Sequence, residues 1–131
     1  SPWNMAQIYN APEFLDEMRY WHKLHEQLRP YLWETAKRCV TESKPILRPL
    51  VYEWPKDSNV LYCQDEYLLG NDLLVAPLLE ENAHSRGIYL PQGTWTDFFS
   101  GKIYAGNQTI VIDAGDKLPV FSRNGFQLKN D

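Results

Sequence analysis

The chain has 131 residues, which suits one domain or pieces of two. Hydrophobic residues make up 44%, with five Trp, eight Tyr and five Phe, and this excludes global disorder. The net charge is −4 and no Lys/Arg cluster exceeds two adjacent residues, so the chain carries no nucleic-acid or membrane-surface footprint, and no apolar run approaches the roughly 20 residues of a membrane span.

Ser1 to Asn10 reads as irregular, anchored by Pro2, Trp3 and Tyr9. It shows neither a basic n-region nor an apolar h-region, so no signal peptide is visible. It also lacks an initiator methionine, and the expectation is a piece of a longer chain whose compartment is unknown, cytoplasm being favoured. A helix start follows, with Asn10 able to cap, Pro12 suited to the first turn, and Glu13 and Asp16 near the positive end of the dipole. The apolar stripe Phe14, Met18, Trp21, Leu24, Leu28, Leu32, Ala36, Val40 advances in steps of three or four, which is helical periodicity. Pro30 interrupts it and predicts a kink near Glu26–Arg29.

The helix is expected to end around Glu42-Ser43. Pro45 biases Lys44 towards extended backbone, and Pro45–Glu53 reads as a short apolar strand of the buried, parallel kind. Pro49 argues against a regular central ladder there. Trp54–Asn59 reads as a loop and Val60–Cys63 as a short strand. Gln64–Pro77 (QDEYLLGNDLLVAP) begins polar, turns at Gly70-Asn71 and then runs apolar, so it reads as the seam between helical and strand-rich halves. After it come strand-like runs at Leu73–Leu79, Gly87–Leu90, Trp95–Phe99, Lys102–Tyr104, Thr109–Asp113 and Leu118–Phe121. Turn signals separate them at Glu81-Asn82, Pro91-Gln92-Gly93, Ser100-Gly101, Ala105-Gly106-Asn107, Ala114-Gly115-Asp116 and Asn124-Gly125. Short strands at this spacing predict an antiparallel sandwich. The fold class is therefore α+β: a long kinked helix and a barrel-type strand, then a β-sandwich.

Few residues invite a chemical reading. His22, His25 and Glu26 form H-x-x-H-E, whereas helical zinc sites place two His at i and i+4 with the Glu between them. Solvated or packing histidines fit better, and His84 reads as an exposed loop residue. Asp57, Asp65, Glu66 and Asp72 cluster near the seam. A carboxylate pair could act as acid and base on a glycosidic bond, but turn contexts favour structural capping. Arg48 inside an apolar strand demands a partner. A structural ion pair is the first reading and a contact lining a ligand pocket the second. Cys39 and Cys63 read as reduced, buried thiols rather than a disulfide. Asn107-Gln108-Thr109 matches the N-glycosylation sequon. No residue set supplies catalysis.

Several ordered motifs resemble glycoside hydrolase family 31, the α-glucosidases, α-xylosidases and relatives. They are Leu28-Arg29-Pro30-Tyr31-Leu32; Arg48-Pro49-Leu50; Gln64 with Gly70, Leu73, Leu74, Val75, Ala76 and Pro77; Arg86, Tyr89, Leu90, Pro91, Gly93 and Trp95; and Leu118-Pro119-Val120-Phe121 with Gly125. The resemblance implies a (β/α)8 catalytic barrel followed by β-sandwich domains. Residues 1–62 would be the barrel's last portion, a helix and its eighth strand, and 63–131 the proximal sandwich. It also implies a retaining mechanism with two aspartates on earlier barrel strands, and a substrate-binding His preceding Pro2-Trp3. None of those positions lies in this chain, so no catalytic, substrate-binding or metal residue and no cofactor is assigned to it. The expected partners are a carbohydrate for the parent enzyme, the rest of its barrel, and further copies of this chain, but neither nucleic acid nor membrane. The alternative is a carbohydrate-binding or interaction module using Trp95, Phe98 and Tyr104.

Overall fold

The computed structural model describes residues 12–63, 65–77, 85–113 and 118–128, with side chains from residue 18 onward. The expectations for Ser1–Asn10, Gln64, Glu81-Asn82, His84 and Ala114-Gly115-Asp116 lie outside the described residues. The chain clusters into two compact units, 1–33 with 128–131, and 34–127.

Helix α1 spans Pro12–Glu42 and continues on both sides of Pro30. Proline has no N–H, so the ladder bond residue 30 would donate is missing while the helix goes on. Leu24 and Leu28, one turn apart, are buried in the first unit. The apolar stripe reaches further than the chain covers it, since Met18 and Trp21 are exposed and Val40 is 83% exposed. The helix stops where Ser43 turns left-handed at φ 57°. The Lys44 N–H then donates back to the Cys39 carbonyl at 3.0 Å, the bond that closes a Schellman-type end.

The second unit holds the sheets. Strand β1 (Leu47–Pro49) is followed by a four-residue helix α2 (Leu50–Glu53) and a 3₁₀ turn at Val60–Tyr62. Two expectations are corrected here. Pro45–Glu53 is not one parallel strand, because only three residues are extended and they pair antiparallel with β2 (Tyr67–Leu69). Val60–Cys63 is a helical turn, not a strand. The physical reason for the first lies in Pro49. At φ −56° it ends β1 on the sheet's outer edge, where a missing N–H breaks no ladder, and it opens α2.

Six strands form one antiparallel sheet in the order β1-β2-β3-β8-β5-β6, with β3 at Leu73–Val75, β5 at Thr94–Asp97, β6 at Ile103–Ala105 and β8 at Val120–Arg123. Strands β4 (Ser85–Leu90) and β7 (Gln108–Asp113) pair antiparallel as a second sheet. In β7 residues Ile110 and Ile112 face the core while Val111 points to solvent, the period-two pattern of a half-covered strand. Central β3 is buried on both faces, which explains its unbroken apolar run. Leu68, Leu74 and Phe121 from the larger sheet meet Ile88 and Leu90 from the smaller one, with Leu50, Val60 and Trp95 completing the core. The architecture is thus a helix plus an antiparallel, sandwich-like pair of sheets.

Candidate functional site

Two polar clusters in the second unit gather the ionisable residues. The first lies around Arg86, near the start of β4. Its Nη1 donates to the Pro77 carbonyl at 2.6 Å, just beyond β3, and its Nη2 lies 3.1 Å from Asp65 Oδ1. The same Nη2 is 3.8 Å from Glu66 Oε1. Glu66 is 3% exposed, and its Oε1 accepts the Tyr89 backbone N–H at 2.8 Å. Burial pushes its carboxyl up to about 7, although the Tyr89 N–H and Arg86 both favour the charged form. The Tyr89 hydroxyl donates to Asp57 Oδ2 at 2.6 Å. Burial and that hydrogen bond raise the phenol to about 12. Asp57 Oδ1 also accepts the Asn59 N–H at 3.0 Å, the local turn bond its loop position favours.

The second cluster surrounds Arg48, which is 1% exposed. Its Nη2 donates to Asn71 Oδ1 at 2.6 Å, and Nη1 stands 4.0 Å from Glu53 Oε2. Arg123 shares that glutamate, with Nη1 at 3.4 Å from Glu53 Oε1, and its guanidinium lies 4.8 Å above the Trp54 ring. Trp54 in turn meets Trp95 edge-on at 6.0 Å.

The sequence candidates therefore separate. Asp57, Asp65 and Glu66 converge on Arg86 and Tyr89, whereas Asp72 stands in the β2–β3 turn, its carbonyl accepting the Arg123 N–H at 2.8 Å. His22 and His25 are exposed on α1, and no metal-binding group of three or more His, Cys, Asp or Glu occurs among the described residues. Cys39 and Cys63 are free thiols. Trp95 is fully buried and donates its indole N–H to the Pro91 carbonyl at 2.8 Å, so it offers no face to a sugar. Phe98 and Tyr104 are half-buried and pack edge-on against Phe99 and Phe121. Asn107 occupies an exposed left-handed turn at φ 61°. Among the described residues, no helix is long and apolar enough to cross a membrane.

Arg86, Tyr89, Glu53, Asn71 and Arg123 are the members that sequence reasoning misses. Arg86 and Tyr89 stand in an Arg-x-x-Tyr motif, but their carboxylate partners lie twenty or more positions away, and no local pattern announces them. A carboxyl poised near neutrality could in principle transfer a proton. At 3% exposure, that of Glu66 is out of reach of a glycosidic oxygen, and its contacts are backbone and arginine.

The described residues thus form an α+β arrangement in which charged side chains link two antiparallel sheets. Residues 43–126 match the model of the glycosyl hydrolase family 31 C-terminal domain. The chain belongs to glycoside hydrolase family 31. It is 34% identical over 126 residues to an isomaltosyltransferase of Sporosarcina globispora, covering 95% of this chain and 12% of that protein. It is 30% identical over 125 residues to alpha-glucosidase 2 of Bacillus thermoamyloliquefaciens, covering 95% and 15%. A solved cycloalternan-degrading enzyme from Trueperella pyogenes, in complex with a covalent intermediate, superposes with a TM-score of 0.87 at 32% identity, over 97% of this chain and 18% of that one. The chain thus spans less than a fifth of each relative's length.

Proposed function

We propose that this chain serves as the non-catalytic C-terminal portion of a retaining hydrolase acting on α-linked glucosides or xylosides. Relatives named as an alpha-glucosidase and a cycloalternan-degrading enzyme support that substrate class. The observation that carries the structural role is the Arg86 cluster. Asp65 and Glu66 just before β2 bond to β4 of the other sheet, and Asp57 ties its own loop to Tyr89. The sandwich braces the barrel, and α1 closes it. The exposed Met18, Trp21, Trp33 and Val40 suit coverage by that barrel, or by a second copy of the chain when the barrel is absent. The boundary belongs near residue 43 rather than 62, a placement supported by the antiparallel pairing of β1 with β2 and by the start of the family match.

The test is hydrolysis of an aryl α-glucoside by the isolated chain. No turnover above the uncatalysed rate is expected. Turnover that disappears in Glu66→Gln or Asp57→Asn would place catalysis in this chain and overturn the reading.

A further inference from the structure

A cleft of about 480 Å³ opens on the second unit, between the loop after α2 and the β4–β5 and β6–β7 turns. Its volume lies within the roughly 300–1,000 Å³ of small-molecule sites. Trp54 lines it and is half-buried. The ring is fixed from elsewhere: the Arg123 guanidinium stands 4.8 Å over it and Trp95 meets it edge-on at 6.0 Å, and neither residue lines the cleft. Arg123 is itself held by Glu53 at 3.4 Å and by the Asn71 carbonyl at 3.3 Å. An aromatic surface already immobilised in this way loses little freedom when a ligand lies against it.

Polar groups complete the wall. The side-chain amides of Gln92 and Asn107 are exposed and make no hydrogen bond among the described residues. Their turns are tied together, with the Asn107 N–H donating to the Leu90 carbonyl at 2.7 Å and the Gly106 N–H to that of Gly93 at 2.8 Å. Asp57 accepts the Tyr89 hydroxyl on one oxygen and the Asn59 N–H on the other, and so keeps acceptor capacity on both. Each amide offers a donor and an acceptor, the pair that neighbouring hydroxyl groups require. Lys56 beside the carboxylates of Asp57 and Glu53 gives neither sign of charge the excess that a phosphate or a metal ion calls for.

We propose that this cleft binds a neutral pyranose oligosaccharide, with the C–H face of one sugar ring against Trp54 and its hydroxyls bonded to Gln92, Asn107 and Asp57. A pyranose joins the two chemistries that the wall presents, an apolar face and a rim of groups that donate and accept. The site breaks no bond and holds a glycan to the sandwich. The sugar class rests on the cleft, and the choice of an α-glucan as its ligand rests on the substrate class proposed above.

The experiment is titration of the isotope-labelled full chain with isomaltotriose, read by NMR. The Trp54 indole signal and the backbone amides of Gln92 and Asn107 should shift in a saturable way. Sorbitol has hydroxyls but no ring face and should leave them in place. The Gln92→Ala/Asn107→Gly variant removes only exposed side chains, and glycine suits the left-handed turn at φ 61°, so it should fold. Its dissociation constant for isomaltotriose should rise about tenfold, as the loss of two neutral hydrogen bonds gives. No shift at these residues, an equal shift with sorbitol, or unchanged affinity in the variant would overturn the proposal. None of those outcomes bears on the absence of hydrolysis tested above, so the binding site and the bracing role fail separately.

Discussion

The Glu66 carboxylate accepts the backbone N–H of Tyr89 at 2.8 Å, and so a side chain closes an edge of β4 that has no neighbouring strand among the described residues. Glu66 immediately precedes β2 of the six-stranded sheet, while Tyr89 belongs to the two-stranded one. One bond thus links the sheets through a group that would otherwise seek water. The arrangement has a pH signature, because the folded state holds that carboxyl near neutrality.

Glu66 rises from an ordinary 4.5 to about 7, with burial the leading cause. A raised folded value means the native state keeps its proton longer than the unfolded chain. The contribution is therefore complete below about 4.5, is lost progressively as pH rises towards 7, and is level above that. Its size is on the order of 3 kcal/mol. Urea unfolding from pH 4 to 8 should show the native chain losing stability relative to Glu66→Gln across this window. A constant difference between the two would refute the assignment.

Gly106 offers a steric test. A Cβ there would stand 1.9 Å from the Pro91 carbonyl oxygen and 2.9 Å from the Gly93 backbone, while the Gly106 N–H already donates to Gly93 at 2.8 Å. Gly106→Ala should cost about 3 kcal/mol or more, because backbone on both sides leaves nothing free to yield. Gly101→Ala serves as the comparison. Gly101 has φ +75° with open space around it, so only conformational strain of about 1 kcal/mol is expected. Denaturation midpoints of the two variants should differ accordingly, and equal losses would show that the Pro91 contact yields.

Cys63 should be a sluggish nucleophile. Its thiol is pushed from 9.0 up to about 11, first by burial and then by Glu66, Asp65 and Asp57. Alkylation by iodoacetamide at pH 7.5 should run about a hundredfold slower than for an unstructured thiol, following the smaller thiolate fraction. Peptide-level mass spectrometry separates it from Cys39. Unfolding in urea should restore the ordinary rate. A native rate equal to the unfolded one would contradict the burial described.

Much of this fold is legible in the residues. The steps of three and four from Met18 to Val40 give α1, and Pro and Gly punctuation after Leu73 gives β3 to β8 in their right places. Glu42-Ser43 marks the helix end. Two things escape. The stretch around Pro45–Glu53 looks like a strand because it is apolar, but backbone pairing and Pro49 divide it into β1 and α2. The polar clusters escape for a different reason. Arg86 reaches Asp65, Arg123 reaches Glu53, and Tyr89 reaches Asp57, contacts separated by 21, 70 and 32 positions, which only the sheet topology brings together. The carboxylates near the seam look like a set on sequence, and three of the four do converge, but on Arg86 and Tyr89.

The inward turn of Arg48 in β1 has a consequence for how the first strand finds its place. With only three residues, β1 has too few hydrogen bonds to choose its own alignment, and Leu47 faces out, against the usual sorting by polarity. A slip of one residue would bring Leu47 or Pro49 inside and throw the guanidinium into water, away from Asn71. The charge acts as an indexing pin, so that a polar residue, not an apolar one, sets the phase of the sandwich's outermost strand.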